Sequence, residues 1–244
     1  MEEIVRNVGV SLYGGGKYDS SHLVPNYINV PCAAGTDTIV SAVASFFLLM
    51  ALNSDVQARA QEEIDRVVGK DRLPKVADRA NLKYVDCVMR EVMRLNPVQP
   101  LGEYTIGSSC PSLTLLPAVP HRLRVDDNFR GYDLPEDSVV YANSWKILHD
   151  ESLYPEPFAF QPERYMVPLS DPQAEKKRDP LSYAFGYGRR VCPGLHLAEA
   201  SMFLSIAMTL SAYDIRKKRD ADGNIIEPKL DYGTGAIRSA FGLY

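Results

Sequence analysis

The order of apolar and polar positions divides the chain into long helical stretches, a short β-like stretch and irregular connections. Residues 39–52 (IVSAVASFFLLMAL) are apolar almost all round, which predicts a helix buried on most of its sides. After Asn53 the text turns amphipathic (DVQARAQEEIDRVVG), with Ser54 placed to act as N-cap and Gly69 as C-terminal stop. A third helix is expected from Lys83 to Leu95, closed by Asn96-Pro97 because proline disfavours helix in the residue before it. From Asn128 to Asn143 short β-type runs alternate with turn residues, and 150–182, rich in proline and charge, reads as ordered but irregular loop. The segment LHLAEASMFLSIAMTLSAYDI, which follows a glycine-rich stretch at 185–194, has helical spacing and is apolar on more than one face. Strand-like fragments and a Gly/Asp turn finish the chain. The expected fold class is mainly α with a small β component.

The totals narrow the function classes. With 244 residues there is room for one large core or two modest ones. A hydrophobic share of 45% with 24% charged residues is that of a globular chain. The net charge of −4 lacks the basic footprint of nucleic-acid binding, so no nucleic-acid partner is expected. Cys32, Cys87, Cys110 and Cys192 have no regular spacing, which speaks against a disulfide framework or a zinc site and fits a reducing compartment. The start MEEIVRNVGV is not a signal peptide, and the greasiest run, 39–52, is shorter than the roughly 20 residues a membrane-spanning helix needs. No span is expected.

The densest chemical signal is Phe185-Gly186-Tyr187-Gly188-Arg189-Arg190-Val191-Cys192-Pro193-Gly194. Three glycines let a backbone approach a flat ligand closely. Cys192 lies just ahead of a helix N-terminus, where the dipole and free N–H groups favour a thiolate, and Arg189 and Arg190 add positive charge. Such a thiolate suits a metal ligand, a nucleophile or a redox thiol, and a plain buried cysteine is the bland alternative. Composition does not choose among them.

The spacing Phe-x-x-Gly-x-Arg-x-Cys-x-Gly resembles the haem-binding signature of the cytochromes P450, matching at every fixed position. The resemblance implies haem b (iron protoporphyrin IX), with Cys192 as metal ligand supplying the proximal thiolate. It implies that Phe185 shields the sulfur, that Gly188 and Gly194 make room for the porphyrin and the turn, and that Arg190 meets a propionate. Three more matches follow the family's order. Glu91-Val92-Met93-Arg94 resembles its Glu-x-x-Arg motif, and Phe160-Gln161-Pro162-Glu163-Arg164-Tyr165 resembles the segment whose arginine joins that pair. Glu91, Arg94 and Arg164 are thus expected to form a buried, structural ionic cluster. Val119-Pro120-His121-Arg122-Leu123 places His121 where the family contacts a propionate; a surface or satisfied core histidine is the alternative, and His149 and His196 look structural or exposed. Gly35-Thr36-Asp37-Thr38, opening the apolar helix, resembles the signature on the family's distal helix, where Asp37 and Thr38 would help deliver protons to iron-bound dioxygen. A plain helix N-cap is the alternative there.

The resemblance covers nearly the whole chain but only the carboxy-terminal half of the fold, closest to fungal members. On that reading Met1 falls inside the distal helix, and the membrane anchor, the early helices and most of the substrate pocket are missing. Two segments, 17–35 and 103–118, look foreign. The first would split the distal helix and carries Pro25 and Pro31, each costing about 3 kcal/mol in a helix interior. Both begin with residues whose codons can contain a 5′ splice site (Gly-Lys-Tyr, Gly-Glu-Tyr), so they are expected to be unspliced introns translated in frame, or else genuine loop insertions. On the intron reading Cys32 and Cys110 carry no function. The implied function is a monooxygenase that inserts one oxygen atom into a small apolar organic substrate, in secondary metabolism or xenobiotic oxidation. Its electrons would come from an NADPH-dependent reductase, and the full-length parent would sit on the cytosolic face of the endoplasmic reticulum membrane. Two alternatives stand beside it: a non-catalytic remnant that retains no haem, and a cysteine hydrolase pairing Cys192 with His196.

Overall fold

The computed structural model describes residues 24–99 and 121–228, and the backbone alone for residues 24–34, 36 and 37. Four helices build the core: α1 (Val24–Leu52), α2 (Ser54–Val67), α3 (Lys83–Leu95) and α7 (Leu195–Ala212). Phe46 and Met50 of α1, Ile64 of α2, Val88 and Met89 of α3, and Phe203 and Ile206 of α7 are fully enclosed in one cluster. Each such side chain contributes about 1.5–3 kcal/mol by leaving water. Of the described helices, α7 is long and apolar enough to cross a bilayer. Its buried residues Met202, Phe203, Ile206, Ala207 and Leu210 pack instead against α1, α2 and α3.

Helix α1 differs from expectation. It starts at Val24 rather than at residue 39, so it runs through much of the segment read as foreign. Pro25 lies in the first turn, where its missing N–H has no intrahelical partner. Pro31 lies inside the helix, and the strong helix formers Ala33 and Ala34 follow closely. The Gly35–Thr38 stretch consequently sits inside the helix and does not open it. The segment 103–118 lies outside the described residues, as do residues 17–23 of the other.

The N-cap of α2 is Asn53, not Ser54. Asn53 closes the preceding helix as well: its side-chain amide donates to the Leu49 carbonyl at 2.8 Å. Gly69 follows the helix end with φ +80°, the left-handed conformation that suits glycine as a stop. Helix α3 matches the expected bounds, and Asn96 ends it. Its N-cap, Leu82, offers no side-chain cap; the carboxylate of Glu63 on α2 accepts from the backbone N–H groups of Tyr84 (2.8 Å) and Val85 (3.0 Å). One acid thereby satisfies two orphan donors and faces the positive end of the helix dipole. Gln57 of α2 straps down the chain after α7, exchanging hydrogen bonds with the backbone of Ile215 at 3.0 and 2.8 Å.

The β component is small, as expected. Strand β1 (His121–Arg122) pairs antiparallel with β4 (Val139–Val140), and β2 (Asp127–Phe129) with β3 (Tyr132–Leu134). Arg130 and Gly131 both have positive φ, the tight hairpin turn that matches strand twist. The 150–182 stretch holds more helix than its composition suggests: a 3₁₀ turn at Pro162–Tyr165, α5 (Pro172–Arg178) and the start of α6 (Leu181–Ala184), after the short α4 (Ser144–Leu148). These pieces have no apolar stripe to read. Caps hold two of them, with Asn143 accepting from Lys146 N and Asp171 from Gln173 N, each at 2.9 Å.

Candidate active site

The cysteine loop joins α6 to α7. Gly186 (φ +84°) and Gly188 (φ +58°) turn the backbone, and a 3₁₀ turn at Gly188–Arg190 carries it to Cys192. The Cys192 N–H donates to the Phe185 carbonyl at 2.7 Å, which closes the loop. Phe185 packs partly buried against the core, so the loop is tied to the helices at that point. Tyr187 Oη lies 2.8 Å from Ser144 Oγ, a second tie, to α4. Gly194 is the N-cap of α7, and a Cβ there would lie 3.7 Å from the Cys192 sulfur, an ordinary van der Waals contact. Cys192 is exposed at the positive end of α7, with Arg189 and Arg190 exposed beside it in the chain. A Cβ at Gly186 would meet the Arg190 carbonyl at 3.5 Å in addition to its backbone strain. Gly186→Ala is expected to cost about 1–3 kcal/mol, read as a lower urea midpoint at unchanged slope.

Cys87 is a contrast. It is buried on α3 with Sγ 3.7 Å from Met166 Sδ. Burial first, and the neighbouring Asp86 second, push its thiol up to about 11. At pH 8 a thiol reagent is expected to modify Cys192 well before Cys87 in the folded chain, with the difference lost in denaturant, as peptide mass spectrometry of timed samples will read. Equal rates in the folded chain would contradict the burial.

The structure brings Glu91, Arg94 and Arg164 together. Glu91 and Arg94 have fully buried side chains and form a two-pronged pair at 2.8 and 2.9 Å. Arg164 Nε donates to Glu91 Oε1 at 3.1 Å. The cluster is larger than the motif suggests. The Gln161 N–H (3.0 Å) and the Tyr165 hydroxyl (3.2 Å) also donate to Glu91. Arg94 donates to the carbonyls of Leu148 (2.9 Å), Pro157 (2.7 Å) and Ala159 (3.2 Å), with its guanidinium over the Tyr154 ring. Burial and the Glu91 charge push the Tyr165 hydroxyl far above its ordinary range, so it stays a donor. One side chain thus anchors three backbone carbonyls of the 148–159 stretch. Tyr165 was already adjacent to the motif; that its hydroxyl points inward is a tertiary fact with no sequence signal.

The other expected residues are scattered. Thr38 Oγ1 donates to the Gly35 carbonyl at 3.2 Å within α1, a mid-helix bond that removes the N-cap reading. The Asp37 side chain lies outside the described residues. His121 is exposed on β1 opposite Val140. His149 is buried, stacked on Trp145 at 3.6 Å, in keeping with a structural role. His196 is exposed, its Nδ1 3.9 Å from Glu199, and among the described residues no hydrogen bond joins it to Cys192. The hydrolase alternative has no supporting pair.

Comparison with known proteins gives one answer. The profile of the family described as Cytochrome P450 matches residues 14–105 and 113–236, leaving unmatched a gap inside the 103–118 segment. Cytochrome P450 monooxygenase 208 of Postia placenta is 44% identical over 205 residues, covering 84% of this chain and 36% of its own. Cytochrome P450 monooxygenase claR of Ampulloclitocybe clavipes is 39% identical over 236 residues, covering 97% and 37%. A solved zebra fish cytochrome P450 with abiraterone superposes with a TM-score of 0.74 at 27% identity, covering 96% of this chain and 50% of that one. The chain therefore spans little more than a third of those curated relatives and half of the solved one. With 216 residues inside the matched spans (92 in the first and 124 in the second), this chain belongs to the cytochrome P450 family.

Proposed function

We propose that this chain carries the haem-thiolate part of a monooxygenase, with Cys192 as the iron's protein ligand. The observation that supports it most is the exposed Cys192 sulfur, held on a glycine-framed loop by its own N–H to the Phe185 carbonyl. The residues present fit a flat, apolar, dianionic group. The sulfur is free to bind, Val191 beside it is an exposed apolar contact, and Gly188 has open space on its Cβ side. Arg190 offers an exposed cation for a propionate. A bound haem would supply activation of dioxygen and insertion of one oxygen atom into an apolar organic substrate.

The chain's own residues have separate tasks. Cys192, at the positive end of α7, presents its sulfur as the ligand for the iron. Phe185 is assigned the shielding of the sulfur from the motif alone. Gly194 is assigned the room beside it on the same ground. Thr38 Oγ1, on α1, holds a hydroxyl proton, and Asp37 is assigned the partner acid from the motif. His121 is assigned a propionate contact on the same ground. Electrons would come from an NADPH-dependent reductase, with the longer parent protein on the cytosolic face of the endoplasmic reticulum membrane. Titration of the purified chain with haem tests the reading: saturable uptake that Cys192→Ala removes supports it. No uptake by the unsubstituted chain would favour the remnant that retains no haem.

A further inference from the structure

The sequence motifs leave unused an alternating row of five charges, drawn from four separate segments. Glu199 in the second turn of α7 meets Arg79 Nη2 at 3.2 Å. Arg79, on the 3₁₀ turn Val76–Asn81, donates through Nε to Asp86 Oδ1 at 2.7 Å. Asp86 on α3 takes Arg90 Nε on its other oxygen at 2.8 Å, and Arg90 Nη1 reaches Asp179 at 2.7 Å. Asp179 also accepts from the Leu181 N–H at 3.1 Å, so it sits at the start of α6. Every member is mostly buried, with side-chain exposures between 18% and 31%. Burial works against the Arg90 charge, yet Asp86 and Asp179 outweigh it and hold the guanidinium above its ordinary range.

The two ends of the row decide its meaning. Asp179 and Glu199 bracket the segment that contains α6, the glycine loop and Cys192. Both ends are fixed to one helix, α3, through Asp86 and its two arginine neighbours. The same helix carries the Glu91–Arg94 pair, which holds the stretch before Asp179. We propose that Glu199–Arg79–Asp86–Arg90–Asp179 is an ionic clamp that sets the position of the Cys192 loop against α3. These are positioning residues, and they touch no reacting atom. The clamp rests on the haem-thiolate reading only for what the loop is held to do.

The test is hydrogen exchange of the full chain without haem, followed by the ferrous carbon-monoxide spectrum after haem loading. Arg90→Gln and Arg79→Gln are expected to raise amide exchange in 181–194 about tenfold, as for local opening of a cooperative unit, while α1 and α2 keep their protection. After loading, the same variants should convert part of the thiolate-type Soret band to the form with a protonated or displaced sulfur. Arg90→Lys keeps one ion pair and should fall between, and Lys83→Gln, an exposed neighbour outside the row, should behave as the unsubstituted chain. Unchanged exchange in 181–194 would overturn the clamp, and so would a rise spread over all core helices. If exchange rises locally but no chain takes up haem, the clamp stands and the haem-thiolate reading fails.

Discussion

Arg94→Met is expected to destabilise the chain by roughly 3–5 kcal/mol, because it strands buried acceptors. Arg94 is fully enclosed and serves Glu91 and three backbone carbonyls at once. Methionine fills much of the volume but donates nothing. Glu91 would keep Arg164, Tyr165 and the Gln161 N–H, so its charge stays partly met, and the Ala159 carbonyl would keep Arg164 Nη2 at 3.4 Å; the carbonyls of Leu148 and Pro157 would lose the donor that serves them here. Glu91→Gln should fall in the same range for the opposite reason, leaving two guanidinium groups facing a neutral amide. Arg164→Met should cost less, since that side chain reaches the surface at 9% exposure. The measurement is urea unfolding followed by circular dichroism, where the midpoint falls and the slope holds. The surface pair Arg72–Asp78 supplies the comparison: it is two-pronged too, at 2.7 and 2.8 Å, but Arg72 is 42% exposed. Arg72→Gln should shift the midpoint far less. A shift for Arg94→Met no larger than that would refute the account of the cluster.

The second large effect concerns the ligand itself. Cys192→Ala should lower haem affinity by about a hundredfold or more, since even outer-shell partners of a metal ligand are worth ten- to a hundredfold. Its effect on folding should be small, because the side chain is exposed and its N–H to the Phe185 carbonyl is retained. Cys192→His separates two roles: an imidazole can bind iron but carries no thiolate charge. Haem should then still be taken up in part, with a neutral-ligand spectrum. Retention of haem by Cys192→Ala at the unsubstituted affinity would mean that another side chain binds the iron. A loss of stability equal to that of Arg94→Met would instead place the cysteine in a structural role.

The parts of this molecule visible in its sequence are those where local chemistry and tertiary packing agree. Helix α3 was readable because its amphipathic pattern ends at Asn96-Pro97, a stop that needs no partner. The cysteine loop was readable because glycine spacing, the arginine and the cysteine are contiguous. Glu91, Arg94 and Arg164 were readable only through resemblance, since i, i+3 charge pairs are common on exposed helices. Three features were not legible. The N-cap of α2 fell to Asn53, whose side chain bonds back to the end of α1 and gives α2 no side-chain cap. Helix α1 continues back through Pro31, where one missing N–H does not end the helix. The row from Glu199 to Asp179 joins positions up to 120 residues apart, and no spacing encodes it.

The central claim, that Cys192 presents a thiolate to haem iron, is tested most directly by reducing the haem-loaded chain under carbon monoxide and recording its Soret band. The account predicts the thiolate-type band in the unsubstituted chain and its absence in Cys192→His. A neutral-ligand band in the unsubstituted chain, or no haem to reduce at all, would contradict it.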